Sequence, residues 1–112
     1  MKVYLICPLR NKSAVKEMEN IRRADKYAIQ LFRIGLDVFN PLAMYQSWRG
    51  KIGEEEIMKS DLNWLSVCDC CFACSGWHRS KGCCVEVELA NRLNIPVFLD
   101  LKTIKRWAKW RS

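Results

Sequence analysis

The chain has 112 residues, of which half are hydrophobic and 28% are charged, as in one globular domain that buries a core without metal or disulfide staples. No run approaches the roughly 18 apolar residues of a membrane span, and residues 1–8 make too short an apolar run for a secretory signal, so we expect a cytoplasmic protein. The net charge of +7 favours an anionic partner without by itself making the chain a nucleic-acid binder.

Strand and helix patterns alternate along the chain. The predicted elements are a strand over 3–7, a helix between Ser13 and Gly35, a strand over 36–39, a helix over about 53–66, a strand over 67–74, a helix over 82–93, a strand over 96–99 and a short basic terminal helix. A loop carrying Tyr45, Trp48 and Arg49 follows the second strand, and its length suggests a function.

This alternation predicts an α/β fold. We expect a small flavodoxin- or Rossmann-like three-layer sandwich with a four- to five-stranded parallel sheet, formed by residues 1–112 as a single domain. Ligands of such folds bind beyond the carboxyl ends of the strands, which here means residues 7–10, residues from Asn40 onward and residues 74–82.

The seven cysteines are an odd number at uneven spacing, which argues against a disulfide framework. Four of them lie near His78 and could suggest zinc, but they fall within a predicted buried strand, where free cysteine serves as a small hydrophobe. We therefore predict reduced, mostly buried thiols, no metal and no cofactor. The cysteines are Cys7, Cys68, Cys70, Cys71, Cys74, Cys83 and Cys84.

Two polar side chains fall on predicted core positions. Asp61 lies in the middle of an apolar helical stripe, where a carboxylate is costly unless it is paired, protonated or in a cleft; it could equally lean out to solvent. Tyr4 lies in the centre of the first strand and could be a core aromatic or a catalytic hydroxyl. The stripe around Asp61 consists of Ile57, Met58, Leu62 and Leu65.

A polar turn leads directly into the helix that begins near Gly82. Free backbone N–H groups at such a start can bind an anion, to which Ser80 could add a hydroxyl and Arg10 a guanidinium. Ser80 could equally be a plain helix cap. Glu86 follows one turn later and faces the expected pocket, whereas Glu88 points to solvent.

These residues resemble the nucleoside 2-deoxyribosyltransferase superfamily over residues 1 to about 99. The motifs that carry the resemblance are Val3-Tyr4-Leu5 with Pro8 and Arg10, residues 35–41, Asp61-Leu62-Asn63-Trp64-Leu65 with Cys68-Asp69, and Ser80-x-Gly82 with Glu86 and Ala90. The pair Gly76-Trp77 resembles the corresponding residues in a branch of this superfamily that is associated with phages and bacteria.

The resemblance implies a function and three catalytic roles. Glu86 would be the nucleophile that attacks the anomeric carbon in N-glycosidic cleavage or transfer, Tyr4 would hold that carboxylate, and Asp61 would protonate the departing base. Relatives are usually homo-oligomers, so the resemblance also implies a homodimer or larger assembly.

The expected substrate follows from differences within the superfamily. The transferases carry Asp where Ser80 stands, whereas the deoxynucleoside 5′-monophosphate N-glycosidases resemble this chain in having Ser there and Arg at Arg10, so a monophosphate is favoured over a free nucleoside. Pro8 replaces a phosphate-binding Ser of those hydrolases. The expected substrate-binding residues are Arg10, Ser80, Gly82, Pro8 and Asn40.

Two other functions stay open. One is a non-catalytic nucleotide-binding module of the same fold, which would not need two carboxylates near an anionic ligand. The other is a basic nucleic-acid-binding domain that uses the interleaved Trp and Lys/Arg side chains of the tail. Trp107 and Trp110 are three residues apart, however, and more simply pack one helix face onto the body or a partner subunit.

Overall fold

The computed structural model describes residues 1–111 as a parallel sheet with helices packed on both faces. Its elements are β1 (Lys2–Ile6), α1 (Ala14–Arg33), β2 (Asp37–Phe39), α2 (Pro41–Trp48), α3 (Glu54–Ser66), β3 (Cys70–Ala73), a 3-10 turn (Trp77–Arg79), α4 (Lys81–Arg92), β4 (Val97–Phe98) and α5 (Leu101–Arg111). No helix in this part of the chain is both long and apolar enough to span a bilayer.

The sheet has four strands in the order β2-β1-β3-β4, and every neighbouring pair is parallel. The predicted α/β sandwich and its strand number are therefore confirmed. Tyr4 of β1 pairs with Phe39 of β2 on one side and with Cys71 of β3 on the other. Because the strands are parallel, the connections that follow β1, β2 and β3 begin at the same edge of the sheet.

Alternate residues of β1 enter two separate cores, as the two-residue period of a strand requires. Val3 and Leu5 face α1 and α5, where they pack with Ile21 and Ile104. Tyr4 and Ile6 face α3 and α4 on the opposite side of the sheet; their neighbours there include Leu65, Cys83, Val87 and Ala90. The second core is the one that borders the candidate site.

The segment predicted as a long loop after β2 is helical between Pro41 and Trp48, so that prediction is wrong. The side chain of Asn40 accepts a hydrogen bond from the Leu42 amide at 3.2 Å, and Pro41 occupies the first turn, where its lack of an N–H costs nothing. Asn40-Pro41, which directly follows the predicted strand over 36–39, is therefore the start of a helix.

Other differences concern the start of β3 and the burial of the apolar side chains of α1. β3 begins at Cys70 rather than 67, because backbone bonds from Val67 and Cys68 back to the end of α3 complete a turn first. On α1, whose first turn is capped by the Ser13 side chain, an apolar stripe recurs at helical spacing, but its members Met18 and Phe32 are exposed. Ile21, Ala24 and Leu31 of the same stripe are buried, and Ala28 is half-buried.

The terminal helix α5 packs through one of its two tryptophans. The Trp107 ring lies 5.1 Å from the Phe98 ring, centroid to centroid, and the Arg111 guanidinium lies 5.2 Å from the centre of Trp107. Trp110 is 84% exposed. Packing onto the body therefore accounts for Trp107 and not for Trp110.

The prediction of reduced thiols is wrong for one pair of cysteines. Cys7 and Cys74 form a disulfide, with their Cα atoms 5.1 Å apart. Each directly follows one member of the last registered pair of β1 and β3, Ile6 and Ala73, so strand pairing alone brings them within bonding range. Sequence spacing did not reveal this, because the two cysteines are 67 residues apart. Of the five free cysteines, only Cys84 is exposed.

Candidate active site

A tyrosine and a glutamate from distant parts of the chain meet in the second core. Tyr4, in the middle of the central strand, is fully buried, and Glu86 of α4 is only 7% exposed. The Tyr4 hydroxyl donates a hydrogen bond to Oε2 of Glu86. β1 and α4 together therefore hold one carboxyl group with one oxygen fixed by a phenol.

Asp61 of α3 lies within electrostatic range of this pair. Its negative charge contributes to raising the pKa of both Tyr4 and Glu86. Asp61 is half-buried, and burial raises the pKa of its own carboxyl to about 6. The structure thus brings all three sequence-derived catalytic candidates to one place, whereas Glu88 is exposed.

Burial also controls the protonation of Glu86. It raises the pKa of Glu86 to about 8; the charge of Asp61 acts in the same direction, and the hydrogen bond from Tyr4 opposes both. Two coupled carboxyls with such values share about one proton near neutral pH.

Three aromatic rings form a continuous stack beside the carboxyls. The Phe39 ring stacks on Tyr4 at a centroid distance of 5.6 Å and on Trp64 at 5.0 Å. Trp64 is 50% exposed, so the stack runs from the buried tyrosine to the surface. Sequence reasoning gave neither Phe39 nor Trp64 a role. The position of Trp64 one helical turn after Asp61 was the available signal.

The predicted anion site at the start of α4 is not assembled. The Ser80 side chain accepts a hydrogen bond from the Cys83 amide at 3.3 Å, so Ser80 is the cap of this helix. A Cβ built on Gly82 would lie 3.1 Å from Cε of Met58, which shows that the methionine covers this glycine. No hydrogen bond or ion pair among residues 1–111 links Arg10 to Ser80 or Gly82.

Arg10 forms a 2.5 Å salt bridge with Glu54, at the start of α3. Both residues line an open cleft of about 840 Å³ between the segment after β1 and the α2–α3 connection. Asn40, besides capping α2, donates from Nδ2 to Asp25 at 3.1 Å. Pro8 is half-buried in the segment that leads to Arg10.

The free cysteines of the second core are protonated side chains that fill space. Burial is the largest cause that raises the pKa of Cys83 to about 11, and it raises the pKa of Cys71 further. Within residues 1–111, no three His, Cys, Asp or Glu side chains converge as metal ligands. The prediction that the protein needs no metal stays a prediction.

The chain is similar to a protein family and to solved enzyme structures. Residues 1–99 match the family described as Domain of unknown function (DUF4406). A 2-deoxyribosyltransferase from the psychrotolerant bacterium Bacillus psychrosaccharolyticus is 21% identical and superposes with a TM-score of 0.64, covering 87% of this chain and 69% of that one. The CMP N-glycosidase BcmB of Clostridium botulinum is also 21% identical, with a TM-score of 0.59, covering 87% of this chain and 66% of that one.

The chain spans about two thirds of the length of both solved structures. The chain therefore shares the fold of these two enzymes, in agreement with the resemblance seen in the sequence. No curated protein matches the chain.

Proposed function

The chain belongs to the DUF4406 family, and we propose that it cleaves or transfers the N-glycosidic bond of a nucleoside or a nucleoside 5′-monophosphate. The observation that carries this proposal is the buried carboxyl of Glu86, held by the Tyr4 hydroxyl within range of a second carboxyl, Asp61. A protein that only bound an anionic nucleotide would gain nothing from two carboxyls at its site.

The proposed reaction has two steps. An oxygen of ionised Glu86 bonds to the anomeric carbon while the bond to the base nitrogen breaks, and the electron pair leaves with the base. Asp61 donates its proton to that base. Water then attacks the anomeric carbon and gives its proton to Asp61, and the Glu86 carboxylate leaves; a second base in place of water gives transfer.

The shared proton has to lie on Asp61 when the bond to the base breaks, because a proton on Glu86 would block nucleophilic attack. Positive charge that develops at the anomeric carbon favours ionised Glu86, and the Tyr4 hydroxyl remains as a donor to the resulting carboxylate. The proton of the pair then lies on Asp61, beside the departing base, as general-acid catalysis requires.

We propose that the aromatic stack holds the base. Trp64 is half-exposed and lies one helical turn from Asp61, so a base stacked against it would place its glycosidic nitrogen near that acid. Bases of all kinds stack on aromatic rings. The stack therefore supplies affinity without choosing a particular base.

The test is base release. The protein is incubated with a panel of nucleosides and nucleoside 5′-monophosphates, and free base is measured by chromatography. We expect release or exchange of base from at least one of them by the natural protein and by Glu88→Gln, a matched change on the exposed side of α4. Release by Glu86→Gln at the natural rate would overturn the proposal.

A further inference from the structure

The open cleft beside Arg10 carries a strong excess of positive charge. Four cationic side chains line it, against two carboxylates, those of Glu17 and Glu54. The cations are Arg10, Lys12, Arg49 and Lys51. The cleft lies between the α2–α3 connection and the segment that follows β1, and the latter begins at the carboxyl edge of the sheet, where ligands of this fold class bind.

The two carboxylates of the cleft form ion pairs with its two arginines. Glu17 is buried on α1; one of its oxygens lies 2.7 Å from Nη1 of Arg49 and the other accepts a hydrogen bond from the Asn11 amide. Glu54 holds Arg10 at 2.5 Å, but both partners are more than half exposed, so this pair is weak and an incoming anion can displace it.

The two lysines have no such partner. Neither Lys12 nor Lys51 forms an ion pair with any of residues 1–111, and both are exposed. The backbone N–H groups at the start of α3 do not form an anion site here. The first turn of α3 contains three glutamates, and Glu56 folds back to within 3.1 Å of a Cβ built on Gly53. Binding of an anion here therefore depends on the basic side chains.

The cleft is offset from the carboxyl pair by a measurable length. Glu54, on the wall of the cleft, and Asp61 are separated by two turns of α3, which is about 10 Å along the helix axis. Along α3 the cleft therefore lies on the carboxyl-edge side of Asp61, where a chain of two or three phosphates that leads away from a bound sugar could extend.

We infer that this site also accepts a nucleoside polyphosphate and prefers it to the nucleoside, because the outer phosphates bind Lys12 and Lys51 in the cleft. This inference rests on the proposed function for its catalytic part. The cleft volume of about 840 Å³ is within the range of small-ligand pockets. Phosphate oxygens form charge-assisted hydrogen bonds with lysine and arginine, and bidentate bonds with arginine.

The experiment compares the natural protein with Lys12→Gln/Lys51→Gln. A matched control, Lys26→Gln/Lys102→Gln, removes the same charge from exposed positions outside the cleft. Binding of inorganic tripolyphosphate, pyrophosphate and orthophosphate is measured by calorimetry. Base release is measured in parallel from one nucleoside and from its mono-, di- and triphosphates.

We expect tripolyphosphate to bind more tightly than orthophosphate, and the cleft double variant to weaken it about tenfold or more. KM for the triphosphate should rise by a similar factor while KM for the nucleoside stays unchanged, and the control should match the natural protein. Equal tripolyphosphate affinity in the natural protein and the cleft variant would overturn the inference.

The two proposals fail in different ways. Lysine-dependent tripolyphosphate binding without base release from any substrate would support the cleft and overturn the N-glycosidase proposal. Base release at equal efficiency from the nucleoside and its triphosphate would support the N-glycosidase proposal and overturn the polyphosphate inference.

Discussion

The buried carboxyl cluster and the basic cleft use charge in opposite ways. Glu86 is almost inaccessible to water, so desolvation, a single hydrogen bond and one neighbouring carboxyl together decide whether it is ionised. The cleft is open, and the Arg10–Glu54 pair on its wall is more than half exposed, so water and salt screen its charges. Proton transfer depends on the buried environment of Glu86, whereas binding of an anion requires only the open basic cleft.

This difference separates the expected effects of mutations. Changes in the buried cluster should alter turnover and its pH dependence and leave anion affinity intact. Changes in the cleft should alter affinity and its salt dependence and leave the pH profile intact.

Glu86→Gln preserves the size of the side chain and an acceptor for the Tyr4 hydroxyl, but an amide cannot attack the anomeric carbon. We expect kcat to fall on the order of 10³-fold or more, with little change in ligand affinity. Single-turnover base release and calorimetric binding of tripolyphosphate measure the two quantities separately. If the affinity for tripolyphosphate fell along with kcat, the buried cluster and the cleft would not be separate in function.

Asp61→Asn removes the proposed proton donor. We expect a loss in kcat of about 10²-fold for bases that need protonation to leave, since general-acid catalysis contributes about that much or more. For a substrate with a good leaving group, such as a nitrophenyl glycoside of the same sugar, the loss should be much smaller. An equal loss on both substrates would show that Asp61 does not protonate the base.

The pH profile of kcat/KM tests the shared proton. Below a pH of about 6 both carboxyls are protonated and neither can attack; above about 8 both are ionised and no proton is available for the base. We therefore expect a bell-shaped profile with a maximum between these limits and about a tenfold fall per pH unit outside them.

The same profile measured on Asp61→Asn should lose its alkaline fall, because the donor is gone. The acid limb of its profile should report a Glu86 pKa below about 8. Removal of the Asp61 charge removes one of the causes that raise this pKa. A flat profile from pH 5 to 9 in the natural protein would show that this pair does not carry the reaction.

The sequence predicted the sheet well because strands and helices alternate with clear periodicity and turn residues. It also located the buried cluster: Asp61 interrupts an apolar stripe, and a carboxylate in such a position signals either a cleft or a partner. The pairing of Tyr4 with Glu86 came from the family resemblance, since the two residues are 82 positions apart and nothing local connects them.

The features that the sequence did not predict depend on contacts between distant segments. The Cys7–Cys74 disulfide follows from the register of β1 and β3, and the contact of Met58 with Gly82 follows from the packing of α3 on α4. The orientation of Arg10 was misjudged for the same reason. Its carboxylate partner, Glu54, belongs to a helix that starts more than forty residues later.

The smallest expected effect concerns the aromatic stack. Trp64→Ala removes the exposed end of the stack and leaves the Tyr4–Phe39 contact in place. A base–aromatic contact contributes about 1–3 kcal/mol, so we expect KM to rise about tenfold with kcat little changed. Trp110→Ala, which removes an 84% exposed tryptophan from α5, is the control and should leave both constants unchanged.

Because the stack touches the base and the cleft touches phosphate, Trp64→Ala should weaken the binding of nucleoside and nucleotide substrates by the same factor. A loss confined to phosphorylated substrates would place Trp64 with the cleft instead of the base.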